Sequence, residues 1–475
     1  MIFFGGHAMK HIFAFGLFIS LPTMAFTDSA GAVLFDMGVL APDSVQDIRI
    51  NNEPVKIQDG KIFAKTLNTL HPNSLQIGDL KQDIKIDKIN ADTIVPIELK
   101  YTDKTLKYNL NTLPADMPKT SMNNSANTDG YIVTSFHTLT LDKPSYAVIM
   151  DTNGNIVYYM GTDDPKTNIF HMQKWDFAKQ PLYSYHIQTE PSTTGAFLLG
   201  DNVVLDDKFN EIDRVRILAT DRHPEMPADQ HDFVILGDKH YLVISYWNEE
   251  LEKNKTVLSA VVQEQKDGKA IFDWVSSDYP KLFDICVEKC PAPGKTDMDY
   301  VHINAVVVDP SDNNLVLSLA SPHTVIKINR KSGDIMWTLS GQGDDFNVAP
   351  EYRLTRQHDA HFENGELVIF DNNYSVIPKI SSVPDKKDKA RILRFKLDEK
   401  NKQVLDTKSV PLNITAPYMG SAQGLQGSHY FAGCGSSESC AAKLVDASGH
   451  DMLIMTVEQP YTTYRAYFYK DIKQH

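Results

Sequence analysis

The sequence predicts an all-β fold, a β-propeller preceded by a small β-sandwich, and three observations carry that prediction. No window of about 15 residues holds a sustained 3.6-residue apolar period with caps at its ends. Short runs rich in Val, Ile, Leu and aromatic residues recur through the chain, separated by Asp, Asn and Gly turns. Residues 26–125 lack the regular recurrence of the remainder and lead into a polar stretch, Lys119–Gly130, that reads as a linker.

At the amino end, Lys10 and His11 precede the apolar run Ile12–Leu21, and Thr23-Met24-Ala25 places small residues at the −3 and −1 positions of a cleavage site. Residues 1–25 are expected to be a cleaved signal peptide, with Met9 a second candidate start. The run is too short to span a bilayer comfortably and nothing later approaches the ~20 apolar residues of a spanning helix, so export to the periplasm without stable membrane insertion is expected. Residues 26–125 follow as a β-sandwich, with strand candidates at Gly31–Phe35, Lys61–Ala64 and Ile94–Tyr101.

The propeller is expected over 130–475, from two recurring phrases. One is a hairpin through a polar turn: Tyr146–Met150 with Asn155–Tyr159, Thr324–Ile328 with Asp334–Trp337, and Ala390–Phe395 with Gln403–Leu405. The other precedes it: His231–Leu236 with His240–Ser245, Ala305–Asp309 with Leu315–Ser318, and Ala360–Gly365 with Glu366–Phe370. Joined, they make four strands per unit of about 40 to 60 residues, the period of propeller blades, which bury their faces by stacking around an axis. A β-sandwich array is the alternative.

Bulk composition bounds function. A net charge of −14 over 475 residues argues against nucleic acid or an acidic membrane as partner, because both are held by clustered Lys and Arg. An anionic substrate therefore needs a local positive pocket. Cys286 and Cys290, and Cys434 and Cys440, lie close in sequence, and an oxidising compartment permits disulfides. Four cysteines allow three pairings; the two local ones are favoured, and the absence of C-x-x-C spacing argues against zinc.

Three histidines open inner strands at equivalent places: His231 in Asp229-Gln-His-Asp, His302 in Tyr300-Val-His-Ile-Asn, and His358 in Arg356-Gln-His-Asp. Inner strands line a propeller's channel, so residues at their shared end converge. A lone histidine there is more often structural than catalytic, and repeated His-Asp pairs can also tie blades together. Three in one register favour chemistry. His323, His186, His240 and His450 lie outside the register and are assigned to scaffold or surface.

Over these motifs the chain resembles the bacterial arylsulfate sulfotransferase (ASST-type) family. The matching residues are His231-Asp232, His302-Ile-Asn304, Lys327-Ile328 with Gly333 and Trp337, Gln357-His358-Asp-Ala360, and Phe370-Asp-Asn372, with weaker agreement at Gly420–Gln423 and Thr463–Ala466. The resemblance implies a six-bladed propeller behind a β-sandwich, an aryl sulfate donor, a phenolic acceptor and no cofactor or metal. It makes His358 the residue that takes the sulfuryl group and His302 a contact to the sulfuryl oxygens, with Asn304 beside it in the motif, and His231 the channel histidine nearest the first family position. The family carries an arginine about 18 residues after the His-x-Asn histidine, where it neutralises anionic oxygens. Here that segment reads Ala320-Ser-Pro-His323, which leaves His323 and Arg356 as candidate cations.

The implied chemistry is ping-pong transfer through a sulfohistidine, since a neutral imidazole is a competent nucleophile near neutral pH. His231 is the candidate acid and base toward the phenol, Asp359 or Asp232 the candidate orienting carboxylate, and Tyr246, Trp247 and Tyr300 a candidate aryl wall. Two rival readings are a metal-dependent hydrolase built on the same histidines and a non-catalytic propeller that binds a ligand or partner. A homodimer is a further expectation.

Overall fold

Runs of alternating or continuous apolar residues broken by Asn, Asp and Gly form antiparallel hairpins, and hairpins with two apolar faces must be covered on both. A computed structural model describes residues 48–472 except 59–60, 102–103, 141, 163, 165, 192–197, 253–254, 291–297 and 376–385. The expected signal peptide and the candidate strand Gly31–Phe35 lie outside the described residues. The described chain is nearly all β; its α-helix is the single turn Lys281–Asp284.

Six antiparallel sheets follow one another. The first contains Tyr131–Thr138, Tyr146–Asp151 and Ile156–Gly161. The next four are up-and-down sheets whose first strands are Ile169–Trp175, Phe233–Gly237, Ile303–Val308 and His358–Glu363. The sixth begins at Ser421–Leu425 and runs to Asp451–Val457. Each sheet packs on the next, and the sixth packs on Ala466–Tyr469, which pairs antiparallel with Tyr131–Thr138 of the first. The order therefore closes into a ring.

Cores lie between neighbouring sheets. Val316, Trp337, Ile369 and Phe395 fill one such interface, and Ile244, Val262, Ile303 and Leu317 another. Burial on both faces explains why Leu315–Leu319 and Thr324–Ile328 are buried at every residue, with no polar alternation.

The amino-terminal part forms two four-stranded sheets, and Ile50, Ile62, Leu75 and Leu110 from them join Phe136, Tyr159 and Phe431 in one core. Two of its strands enter the ring. Thr66–Asn68 pairs with Ile156–Gly161, and Thr120–Asn124, inside the expected linker, pairs with Asp451–Val457 as an outer edge. An edge strand needs backbone partners more than apolar side chains, which is why its sequence reads as a linker.

Both local disulfides form, Cys286–Cys290 and Cys434–Cys440, with Cα atoms 5.6 and 5.8 Å apart.

Candidate active site

The inner strands begin irregularly, and that irregularity aims their side chains. Register shifts interrupt the first pairings at Phe170/Gln173, Ile303/Ala305 and His358/His361. Left-handed backbone accompanies them at His171, His302, Arg356 and Asp359, with φ of 50°, 44°, 53° and 52°. Such conformations cost about 1–3 kcal/mol each for non-glycine residues and persist where surrounding structure holds them. Bulges of this kind re-aim side chains, here His302 and Arg356 toward one end of the ring and Asp359 toward Arg465 at its centre.

A cavity of about 340 Å³ opens there, lined by His231, His302 and His358 together with Lys289, Arg356, Gln230 and the less polar Leu139, Phe170, Leu198, Tyr418, Met419 and Tyr464. The His231 and His302 rings meet edge to face with centroids 4.7 Å apart. Leu139 and Tyr418 are exposed, 48% and 39%, and offer an aromatic molecule apolar contact.

Carboxylates orient two of the imidazoles. His231 Nδ1 donates to Asp229 Oδ1 at 2.5 Å, and His302 Nδ1 donates to Asp299 Oδ2 at 2.5 Å while its backbone N–H donates to Asp299 Oδ1 at 2.9 Å. Each pair fixes a tautomer that presents Nε2. Burial holds His302 below its ordinary value, against the opposing pull of Asp299. Burial alone would raise Asp299, but His302 holds it below the usual carboxylate range.

His358 is fixed differently. Asn372 donates through Nδ2 to the carbonyls of Ala416 and Met419, at 2.7 and 2.9 Å, so its Oδ1 must face His358 Nδ1, 2.7 Å away. Nδ1 therefore carries the proton, shared with the Arg356 carbonyl at 3.0 Å, and Nε2 keeps its lone pair, accepting from Met419 N–H at 3.2 Å. Burial pushes His358 well below 6.5, the Asn372 bond opposes, and the neighbouring His302 and His231 add to the lowering. Gly420 lets the chain pass close: a Cβ there would meet the Phe370 ring at 2.5 Å.

The other sequence candidates lie elsewhere. Arg356 lines the cavity, but its Nη1 is bound to Glu288 Oε2 at 2.8 Å. His323 is buried behind it, its Nε2 2.8 Å from Glu288 Oε1. Asn304 Nδ2 donates to the Gln357 carbonyl at 2.7 Å. Asp232 and Asp359 orient none of the three cavity imidazoles: they face Arg465 Nη1 at 3.2 and 3.1 Å and line a second cavity, of about 280 Å³, with His361 and Glu363. Tyr246 and Tyr300 are core residues whose hydroxyls bond the Ile303 carbonyl and Ser276, and Trp247 packs on Arg222. Among the described residues, no group of three or more His, Cys, Asp or Glu is placed to hold a metal ion, and no helix is long and apolar enough to cross a membrane.

The family model for arylsulfotransferase (ASST) matches residues 117–448, more than half of the chain. The chain belongs to the arylsulfotransferase family. No curated protein matches it. Solved structures similar to this arylsulfotransferase-family chain include a protein of unknown function from Bacteroides caccae, at 9% identity and TM-score 0.43 over 72% of this chain and 100% of that one. A periplasmic gluconolactonase from Pseudomonas aeruginosa has 11% identity and TM-score 0.38 over 72% and 99%. The Swd1 β-propeller domain of Myceliophteria thermophila has 12% identity and TM-score 0.36 over 72% and 90%. Similarities this low carry nothing about substrate.

Several site residues of this family member were not singled out from sequence. Asp299 is three residues before His302, a spacing that could have flagged it. Asp229 and Asn372 sat inside quoted motifs without a role. Lys289, Met419 and Leu139 carry no local signal at all.

Proposed function

We propose that the protein is an aryl-sulfate sulfotransferase that works without a nucleotide donor, by ping-pong transfer through a sulfohistidine at His358. The observation that carries this reading is the cavity in which His231, His302 and His358 converge, with His358 Nε2 left as a free base by the Asn372 contacts. In the first half-reaction His358 Nε2 attacks the sulfur of an aryl sulfate. The N–S bond forms as the S–O bond to the aryl group breaks, and protonated His231, supported by Asp229, delivers its proton to the departing phenolate oxygen. His302 Nε2 lies beside the sulfuryl oxygens. In the second half an acceptor phenol gives its proton to His231 and takes the sulfuryl group, which restores His358. The phenyl rings of donor and acceptor rest on Leu139, Phe170 and Tyr418.

In this reading the six closed sheets are the blades of a six-bladed propeller, and the two amino-terminal sheets are a β-sandwich packed on it. Residues 1–25 direct export to the periplasm, a compartment suited to the two disulfides.

Mass spectrometry after brief exposure to 4-nitrophenyl sulfate tests the reaction. An added mass of about 80 Da, one SO3 group, is expected on the peptide containing His358 and absent from His358→Ala. A folded wild-type protein that neither gains this mass nor releases nitrophenol is a binding protein, and the transferase reading fails.

A further inference from the structure

The cavity that receives an anionic ester is lined by two permanent cations, and they are not equivalent. Arg356 carries its counter-ion with it: its Nη1 sits 2.8 Å from Glu288 Oε2, although its Nε has no partner among the described residues, and the other oxygen of the same carboxylate holds His323. Two of the lining imidazoles bring little positive charge, since burial disfavours protonation of both His302 and His358. Lys289 is exposed and makes no ion pair among the described residues, so no carboxylate competes with a ligand for its ammonium group.

Its backbone is placed rather than loose. Lys289 lies between Cys286 and Cys290, whose disulfide closes the loop around it. Its own φ is 50°, and the preceding Glu288 N–H donates to the Ser321 carbonyl at 3.1 Å. Ser321 follows Ala320, so the disulfide loop is pinned to the segment at which the family motif carries its arginine. The charge of Lys289 also reaches the Asp299–His302 pair and contributes to the lowering of both.

We propose that Lys289, carried to the cavity by the Cys286–Cys290 loop, is the cation that binds the anionic sulfuryl oxygens of the substrate. The assignment rests on the transferase reading for its substrate. As an anion site it can be measured independently of turnover. A four-carbon stem lets the ammonium follow the oxygens as the sulfuryl group passes from donor oxygen to His358, where a paired guanidinium cannot. The anion-binding charge of the family motif has thereby moved from a strand end to a disulfide-closed loop.

The test uses the full-length oxidised protein and two readouts. Calorimetric titration with inorganic sulfate gives anion affinity, and single-turnover release of nitrophenol from 4-nitrophenyl sulfate gives transfer. Lys289→Met is expected to weaken sulfate binding and lower kcat/KM, each about tenfold or more, while Lys289→Arg stays within about threefold of wild type on both. Arg356→Met serves as the comparison and is expected to weaken sulfate binding less than Lys289→Met. Equal sulfate affinity in wild type and Lys289→Met overturns the proposal, as does a wild-type protein that does not bind sulfate. If sulfate binds in a Lys289-dependent way but His358 gains no sulfuryl group, the anion site stands and the transferase reading falls. If His358 is labelled equally fast in Lys289→Met, the transferase reading stands and Lys289 is a solvated surface residue.

Discussion

His358 has one usable nitrogen because Asn372 has one usable orientation. Two backbone carbonyls take the Asn372 amide protons, the amide oxygen then demands the Nδ1 proton, and Nε2 is left as the basic nitrogen, its lone pair held by the Met419 N–H at 3.2 Å until a substrate displaces that bond. Burial makes that basicity weak toward protons, which has a measurable sign. For a histidine whose folded value lies below 6.5, the free base persists as pH falls through 6.5 and is lost only further down. Single-turnover sulfuryl transfer to His358 is therefore expected to show no fall in rate as pH drops from about 7.5 to about 6, where an unperturbed imidazole would already be more than half protonated. A rate that falls with an apparent pKa at or above 6.5 removes His358 as the nucleophile. The same burial costs stability at another residue that lines the cavity. His137 touches the Phe170 ring, neither of its nitrogens has a partner among the described residues, and burial pushes it down to about 3.

At the scale of elements, the hairpins are held by polar anchors as much as by apolar faces. Lys327, in the strand Thr324–Ile328, has no exposed side chain and reaches three carboxylates: Asp309 at 2.6 Å, Asp312 at 3.0 Å and Glu399 at 2.6 Å. Asp309 and Asp312 follow the inner strand of the same sheet, and Glu399 lies in the turn after Arg391–Asp398 of the next. The lysine therefore ties two sheets at their outer end, far from the histidines. Removing it strands Asp309, 2% exposed, without its counter-ion. Lys327→Met is expected to cost about 3 kcal/mol in urea unfolding with little change in sulfuryl transfer of the folded fraction. A cost below about 1 kcal/mol would mean that the carboxylates find water instead.

For the whole molecule, closure depends on the last strand. Ala466–Tyr469 completes the first sheet, and the residue before it, Arg465, is 2% exposed at the centre of the ring. Its guanidinium reaches Asp232, Asp359, the Tyr467 hydroxyl and the Asn304 carbonyl, at 3.2, 3.1, 3.2 and 2.5 Å. Those partners come from the third, fifth, first and fourth sheets, so one planar fork joins most of the ring. Burial still wins at Asp232, whose carboxyl is pushed up to about 6 despite Arg465. Arg465→Met leaves two buried carboxylates unpaired and is expected to cost about 3–5 kcal/mol; Arg465→Lys cannot restore the fork. Denaturant midpoints of the three proteins check this, and a midpoint for Arg465→Lys equal to wild type would show that charge alone suffices. Tyr464 and Arg465, adjacent in sequence, line the histidine cavity and the second cavity respectively, so the hub also separates the two openings.

Local chemistry by itself determined the nearly all-β character and the hairpins that open with Tyr146–Asp151 and Thr324–Ile328, and it favoured, without fixing, the pairing of near cysteines. Each depends on residues within a turn's reach. The histidine phrases were legible for the same reason, as repeated strand openings. What depends on pairing across the chain was not legible. The strand Thr120–Asn124 looked like a linker because its partner lies at Asp451–Val457, and Asp232 and Asp359 looked like imidazole partners because Arg465 lies over a hundred positions away from either. Lys289 faces the site only because the disulfide loop Cys286–Cys290 and a bulged strand meet in space. Charge acts through distance, and only the tertiary structure sets distance.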